Sequence, residues 1–200
     1  YHSLAFFYSR DEFERQVDAH RTKIREVFGV ETSVFRNTEL SYNDELAKWA
    51  DAYGFKGILA EGWDPILDWR SPNFVYRPEG TENIALLLKN YKLSDDLAFR
   101  FSNRSWQEWP LTADKYTSWV ESSIHDQPLV NLFMDYETFG EHQWHDTGIF
   151  EFFEEFVNRW LHDGNNTFYT VSEAIDAHDP AGNLSMPHTV TWADSERDLS

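Results

Sequence analysis

Two periodicities alternate along this chain, and that alternation restricts its fold more than any other feature. Ser9 to Gly29 opens with Ser9-Arg10-Asp11-Glu12, a capping box, and sets Phe13, Val17, His20, Ile24, Val27 and Phe28 on one face, which predicts a helix closed by Gly29. Thr32-Ser33-Val34-Phe35-Arg36-Asn37-Thr38-Glu39 follows with β-branched and aromatic residues and predicts a short strand ending on a carboxylate. A second helix, from about Asn43 to Tyr53 and closed by Gly54, leads into Gly57-Ile58-Leu59-Ala60-Glu61, a buried strand that also ends on a carboxylate.

Gly62 to about Pro110 reads as loop-rich, with Trp63, Trp69, Trp106 and Trp109 and a short apolar run from Ala85 to Leu88. A helix from about Thr112 to Ile124 precedes the apolar strand Leu129-Val130-Asn131-Leu132-Phe133-Met134, which delivers Asp135-Tyr136-Glu137 to its C-terminal end. Gly148 to Leu161 carries Ile149, Phe152, Phe153, Phe156, Val157, Trp160 and Leu161 at helical spacing, so Trp160 belongs to a core face. Thr167 to Val171 predicts one more strand, Ser172 to His178 a short helix, and Asp179 to Ser200, with Pro180, Gly182 and Pro187, an irregular tail that either lies along the surface or leads into a missing segment. Alternating helices and strands imply parallel strands joined by helical crossovers, in an open doubly wound sheet or a barrel, within a single domain.

Composition narrows the partners. A formal charge of −18 repels phosphate backbones and anionic lipid, so nucleic acid and membrane surfaces are excluded as expected partners. The charge reads first as a well-solvated acidic surface and second as steering of a neutral or cationic ligand. The chain has no cysteine, which removes disulfides, thiolate nucleophiles and Cys-ligated metals and favours an intracellular, cytoplasmic setting. No apolar run approaches the ~18 residues of a membrane span. Tyr1-His2-Ser3-Leu4-Ala5 opens in mid-element without an initiator Met, so a longer native protein is expected.

In parallel α/β architectures the residues at strand C-terminal ends converge on one face. Here Glu39, Glu61, Asp135 and Glu137 hold such positions. Opposed carboxyl groups are what glycoside hydrolysis needs, one at the anomeric carbon and one to protonate the leaving oxygen. Acidic residues at strand ends also commonly cap the next helix or pair with Arg, and position alone leaves both readings open.

The stretches Asp135-Tyr136-Glu137-Thr138-Phe139-Gly140-Glu141-His142 and Phe35-Arg36-Asn37-Thr38-Glu39-Leu40, with Tyr1-His2-Ser3-Leu4-Ala5 and Leu93-Ser94-Asp95-Asp96-Leu97-Ala98-Phe99-Arg100-Phe101-Ser102, closely resemble α-amylase-like members of glycoside hydrolase family 57 along nearly the whole chain. The resemblance implies an α/β fold, an incomplete (β/α)7 barrel of distorted TIM type. This chain would carry its central and C-terminal strand–helix units, because the family's opening His-Gln-Pro stretch and its aromatic-rich fifth region are both missing. It implies retaining cleavage of α-glucan, with Glu39 as nucleophile and Asp135 as acid/base. Glu61 is the competing nucleophile, placed second as a binding or supporting group.

Asp135 is expected to keep its proton through desolvation by Phe133, Tyr136 and Phe139 and repulsion from Glu137, while Arg36 or Asn37 helps Glu39 stay ionised. Trp63, Trp69, Trp106 and Trp109 are candidate sugar platforms, since indole faces pack on sugar C–H surfaces. His2 and His142 join Arg36, Asn37, Glu61 and Glu137 as candidate substrate contacts. The partner so implied is an α-glucan or maltooligosaccharide, with no cofactor and no resident metal.

Two rivals remain. Glu141-His142-Gln143-Trp144-His145-Asp146 holds two His three apart, a spacing that suits a metal-dependent polysaccharide hydrolase or deacetylase, although the stretch reads as loop. A carbohydrate-binding protein without catalysis is the other; the presence of both expected carboxyl groups favours the enzyme.

Overall fold

The computed structural model describes residues 3–193. Helix α1 (Arg10–Phe28) starts where the Ser9 hydroxyl accepts from the Glu12 amide and stops at Gly29, whose φ of 69° closes it in the left-handed region. The Glu12 carboxylate turns to Arg15 and Gln16. Phe13 and Val17 are buried, but Val27 and Phe28 at the far end of the same stripe are exposed. Strand β1 (Val34–Arg36) and helix α2 (Asp44–Ala52) follow, the latter capped by the Asn43 side chain. Strand β2 (Gly57–Glu61) leads into the short helix α3 (Asp64–Leu67). Then come β3 (Arg77–Pro78), β4 (Ala85–Lys89) and α4 (Tyr91–Asp95), with one π-helical turn over Asp96–Arg100. The remaining elements are α5 (Ala113–Ile124), α6 (Ile149–His162), α7 (Val171–Ala177) and β5 (Asn183–Leu184).

The main sheet has the order β1-β2-β4 and is parallel throughout, with Phe35 beside Ile58 and Ile58 beside Leu86. Its two faces separate by the period of two. Ile58, Ala60, Leu86 and Leu88 join Phe13, Val17, Leu46 and Ala50 under α1 and α2. Leu59, Ala85 and Leu87 turn the other way, against Val75, Leu129 and Ala174, Val171 and Ile175 of α7. Each fully buried Leu contributes about 1.5–3 kcal/mol. Gly62, after β2, must be glycine because a Cβ there would collide with the Lys89 carbonyl.

A separate helical core forms from α4, α5 and α6, where Leu93, Leu97, Tyr116, Val120, Ile149, Phe152, Phe156 and Trp160 pack together. Trp160 is core, as its spacing predicts, and its indole donates to the Thr167 carbonyl.

Three expectations are corrected. The segment 129–134 forms no ladder: the Phe133 amide donates to the Ser94 hydroxyl, and the Asn131 side chain takes the Leu88 carbonyl of β4. One backbone bond, Asn90 N to Asn131 O at 2.9 Å, ties it to the end of β4. The stretch 167–171 is likewise no strand, since Thr170 forms a capping box with Glu173 and starts α7 one residue early. The described part of the tail is packed in and does not lie along the surface: Leu184, Met186 and Val190 are buried, β5 pairs with β3, and Val190 bridges Tyr42.

Candidate active site

Strand β1 ends at Arg36, and Glu39 lies three residues further, inside a tight turn over Thr38–Leu40. Glu39 and Leu40 sit at φ 56° and 50°, a left-handed pair that costs L-residues about 1–2 kcal/mol each. The surroundings hold that turn. Leu40 and Tyr42 are fully buried, the buried Asn37 donates across the turn to the Ser41 carbonyl at 3.0 Å, and Tyr42 exchanges backbone bonds with Val190. From the C-terminal side, the Thr191 hydroxyl donates to the Glu39 carbonyl at 2.7 Å, and the Trp192 indole donates to Glu39 Oε2 at 2.7 Å.

Asp135 ends the segment beside β4 and is followed by the turn Tyr136–Thr138, anchored by the buried Thr138. Its Oδ1 lies 3.6 Å from the Arg36 guanidinium, with the two side chains 44% and 42% exposed respectively. One cavity of about 220 Å³ is lined by Arg36, Asn37, Thr38, Glu39, Asp135, Glu137 and Trp192. That is below the ~300–1,000 Å³ usual for a ligand site and fits one sugar-sized subsite better than a groove.

Beneath it lies a buried charged group. Glu61 closes β2 and Lys89 closes β4 in direct register, with side chains 0% and 3% exposed. Lys89 Nζ is 3.9 Å from Glu61 and 2.7 Å from Asp95. The Gly62 amide donates to Glu61 Oε1 at 3.1 Å.

Of the residues named from sequence, Arg36, Asn37, Glu39, Asp135 and Glu137 share the cavity. Glu61 lies below it. The four tryptophans do not line it: Trp63 packs on the sheet core, Trp106 packs edge-on against Trp119, and Trp69 and Trp109 are exposed elsewhere. His142 is exposed, and His2 lies outside the described residues. Arg36 pairs with Asp135, where support for Glu39 was expected, and Asn37 spans the turn. The expected aromatic cover over Asp135 is incomplete, since Tyr136 is 96% exposed and Phe139 packs on Phe153.

Sequence reasoning missed Lys89 and Trp192. Lys89 was legible as a lone cation ending an apolar run. Trp192 carried no signal beyond being an aromatic in a polar tail. Among the described residues, no group of three His, Asp or Glu side chains is placed to hold a metal ion, and no helix is long and apolar enough to cross a membrane.

A parallel α/β sheet with several carboxyl groups gathered in one cavity near its edge offers the groups that glycoside hydrolysis uses. The chain belongs to glycosyl hydrolase family 57, whose family model matches residues 1–187. It is 46% identical over 204 residues to a Methanocaldococcus jannaschii protein named "Putative alpha-amylase", covering 100% of this chain and 43% of that protein. The crystal structure of 4-alpha-glucanotransferase from Thermococcus litoralis superposes with a TM-score of 0.63 at 21% identity, over 84% of this chain and 26% of that one. The chain thus spans less than half the length of either, and the second likeness speaks to the fold alone.

Proposed function

We propose that this chain is a segment of the catalytic barrel of a retaining α-glucan hydrolase, with Glu39 as nucleophile and Asp135 as acid/base. The observation that carries the reading is that these two carboxyl groups, far apart in sequence, line one cavity. The barrel would be of incomplete (β/α)7 type, with β1, β2, β4 and the segment 129–134 as its consecutive staves; the family relationship supports this. Strain at Glu39 supports its role, since backbone in sparsely populated regions clusters where a side chain must be aimed. Full burial of Glu61 against Lys89 supports a supporting role for it, as a nucleophile must touch the sugar.

In the first step a Glu39 carboxylate oxygen attacks the anomeric carbon while Asp135 gives its proton to the departing glucosidic oxygen, leaving a glycosyl ester on Glu39. In the second, Asp135 takes a proton from water, which displaces Glu39 and regenerates both groups. A sugar hydroxyl in place of water gives transglycosylation with the same atoms. Such chemistry requires carboxyl oxygens about 5–5.5 Å apart in the working enzyme. Arg36, bound to Asp135 and lining the cavity, would hold the acid/base and contact substrate with Asn37 and Glu137.

The full-length protein assayed on starch, glycogen and maltooligosaccharides tests this, with release and transfer products both measured. Glu39→Gln and Asp135→Asn should each lose at least about a thousandfold in turnover, and Glu61→Gln less. An inactive Glu61→Gln beside a nearly normal Glu39→Gln would move the nucleophile to Glu61.

A further inference from the structure

Trp192 is the point where the parts of this cleft meet. Its indole Nε1 donates to Glu39 Oε2 at 2.7 Å, and its backbone amide donates to the Glu39 carbonyl at 3.2 Å. The Arg36 guanidinium lies 4.5 Å and the Lys89 ammonium 5.3 Å from its ring centroid. Arg36 continues to Asp135, and Lys89 to Glu61 and Asp95. One indole therefore touches the candidate nucleophile, the cation beside the candidate acid/base, and the cation that fills the buried layer below.

We propose that Trp192 is a positioning residue for the Glu39 carboxylate, acting through its indole N–H. This rests on the reading of Glu39 as nucleophile. A carboxylate that attacks carbon must bring one oxygen in along a fixed line, and a donor on the other oxygen fixes the plane of the group. Indole suits the task because it donates and never accepts, so it does not take the proton that the reaction moves. The same segment also clamps the strained backbone, through the Thr191 hydroxyl and Trp192 amide on the Glu39 carbonyl and the Val190–Tyr42 bridge. Side chain and main chain of Glu39 are thus set by one short stretch. A role for the ring as an open sugar platform fits less well, because two cations already lie against it.

The test compares Trp192→Phe, which keeps a ring against Arg36 and removes the donor, with Trp192→His, which is smaller but retains a ring N–H, in the full-length protein on maltooligosaccharide. Trp192→Phe should lose about ten- to a hundredfold in kcat with KM changed less than about threefold, and Trp192→His should recover part of the loss. The formation rate of the glycosyl-enzyme, read as a pre-steady-state burst, should fall with kcat. The proposal is overturned if Trp192→Phe keeps kcat within about twofold of the parent, if its defect lies in KM alone, or if Phe outperforms His. Glu39→Gln in parallel separates two failures: an active Glu39→Gln removes the nucleophile reading itself, whereas an inactive one beside a normal Trp192→Phe removes only the positioning role. Should Trp192→Phe fail to fold by circular dichroism, the comparison passes to Trp192→Gln, with an amide donor, and Trp192→Met, with none; equal kcat in that pair overturns the proposal.

Discussion

Glu39 and Asp135 face the same cavity, yet the chain holds them in opposite ways. Glu39 sits in a turn with two consecutive left-handed residues, fixed from below by fully buried Leu40 and Tyr42 and from the side by Thr191 and Trp192. Asp135 closes a segment without a ladder, is 44% exposed, and is followed by Tyr136 at 96% exposure. Its charged partner, Arg36, is itself 42% exposed. The difference teaches how the two halves of one cleft can be made. The Glu39 side is strained backbone over a core in which Leu40, Tyr42 and Val190 are buried. The Asp135 side is a loop that packs Val130, Leu132, Met134 and Phe139 on the helical core and is tied by side-chain bonds of Asn131, Ser94 and Gln143, with no ladder along it. Such a loop is drawn from the low-stability end of a structure, where local opening is easiest.

The comparison can be broken or sharpened by substitution. The largest effect should come from Glu39→Gln, with at least about a thousandfold loss of turnover and little change in melting temperature, since charge is removed and shape kept. Lys89→Met should follow. It leaves Glu61 and Asp95 without their buried cation and should cost about 3–5 kcal/mol in urea unfolding, whereas replacing an exposed cation such as Lys23 should cost almost nothing. Glu39→Gly tests the strain directly. Set beside Glu39→Ala, which loses the same Trp192 bond, it is freed from the Cβ penalty at φ 56° and should be the more stable by up to about 1 kcal/mol, with both inactive; equal stability of the two would show that the turn is unstrained. On the looser side, Arg36→Met should change stability by less than about 1 kcal/mol, because both partners are more than a third exposed. Tyr136→Ala should be smallest, within about 0.5 kcal/mol by thermal unfolding. A large loss of stability in either of the last two would place Asp135 on a scaffold as firm as that of Glu39.

Hydrogen exchange adds a reading without substitution. Amides of β2 and β4 should be protected longest, the Leu40 and Tyr42 amides nearly as long, and those of residues 136–148 should exchange first.

Much of this was written in the sequence. The helices α1, α2, α5 and α6 follow from apolar spacing and from Ser9, Asn43, Thr112 and Gly29 at their ends, because caps and stripes are local properties of a helix. The parallel sheet follows from the alternation of elements, whereas the pairing of Glu61 with Lys89 does not, since only the sheet makes their two apolar runs neighbours. Resemblance singled out Glu39 and Asp135. Hydrophobic runs misled at 129–134 and 167–171, since an apolar stretch becomes a strand only if its backbone finds another strand, and there Ser94, Trp160 and Glu173 took backbone bonds while the Asn131 side chain occupied the Leu88 carbonyl.

Tertiary structure alone decided the surroundings of the two carboxyl groups. No local pattern says that Arg36 reaches Asp135 instead of Glu39, that the four loop tryptophans stay out of the cleft, or that a tail reading as irregular returns through Val190 to set Trp192 on Glu39. Residue type and spacing determine which groups are available and which element carries them, because those depend on neighbours within a few positions. Which groups meet is fixed by packing between segments far apart in the chain, and that is where the candidate chemistry lies.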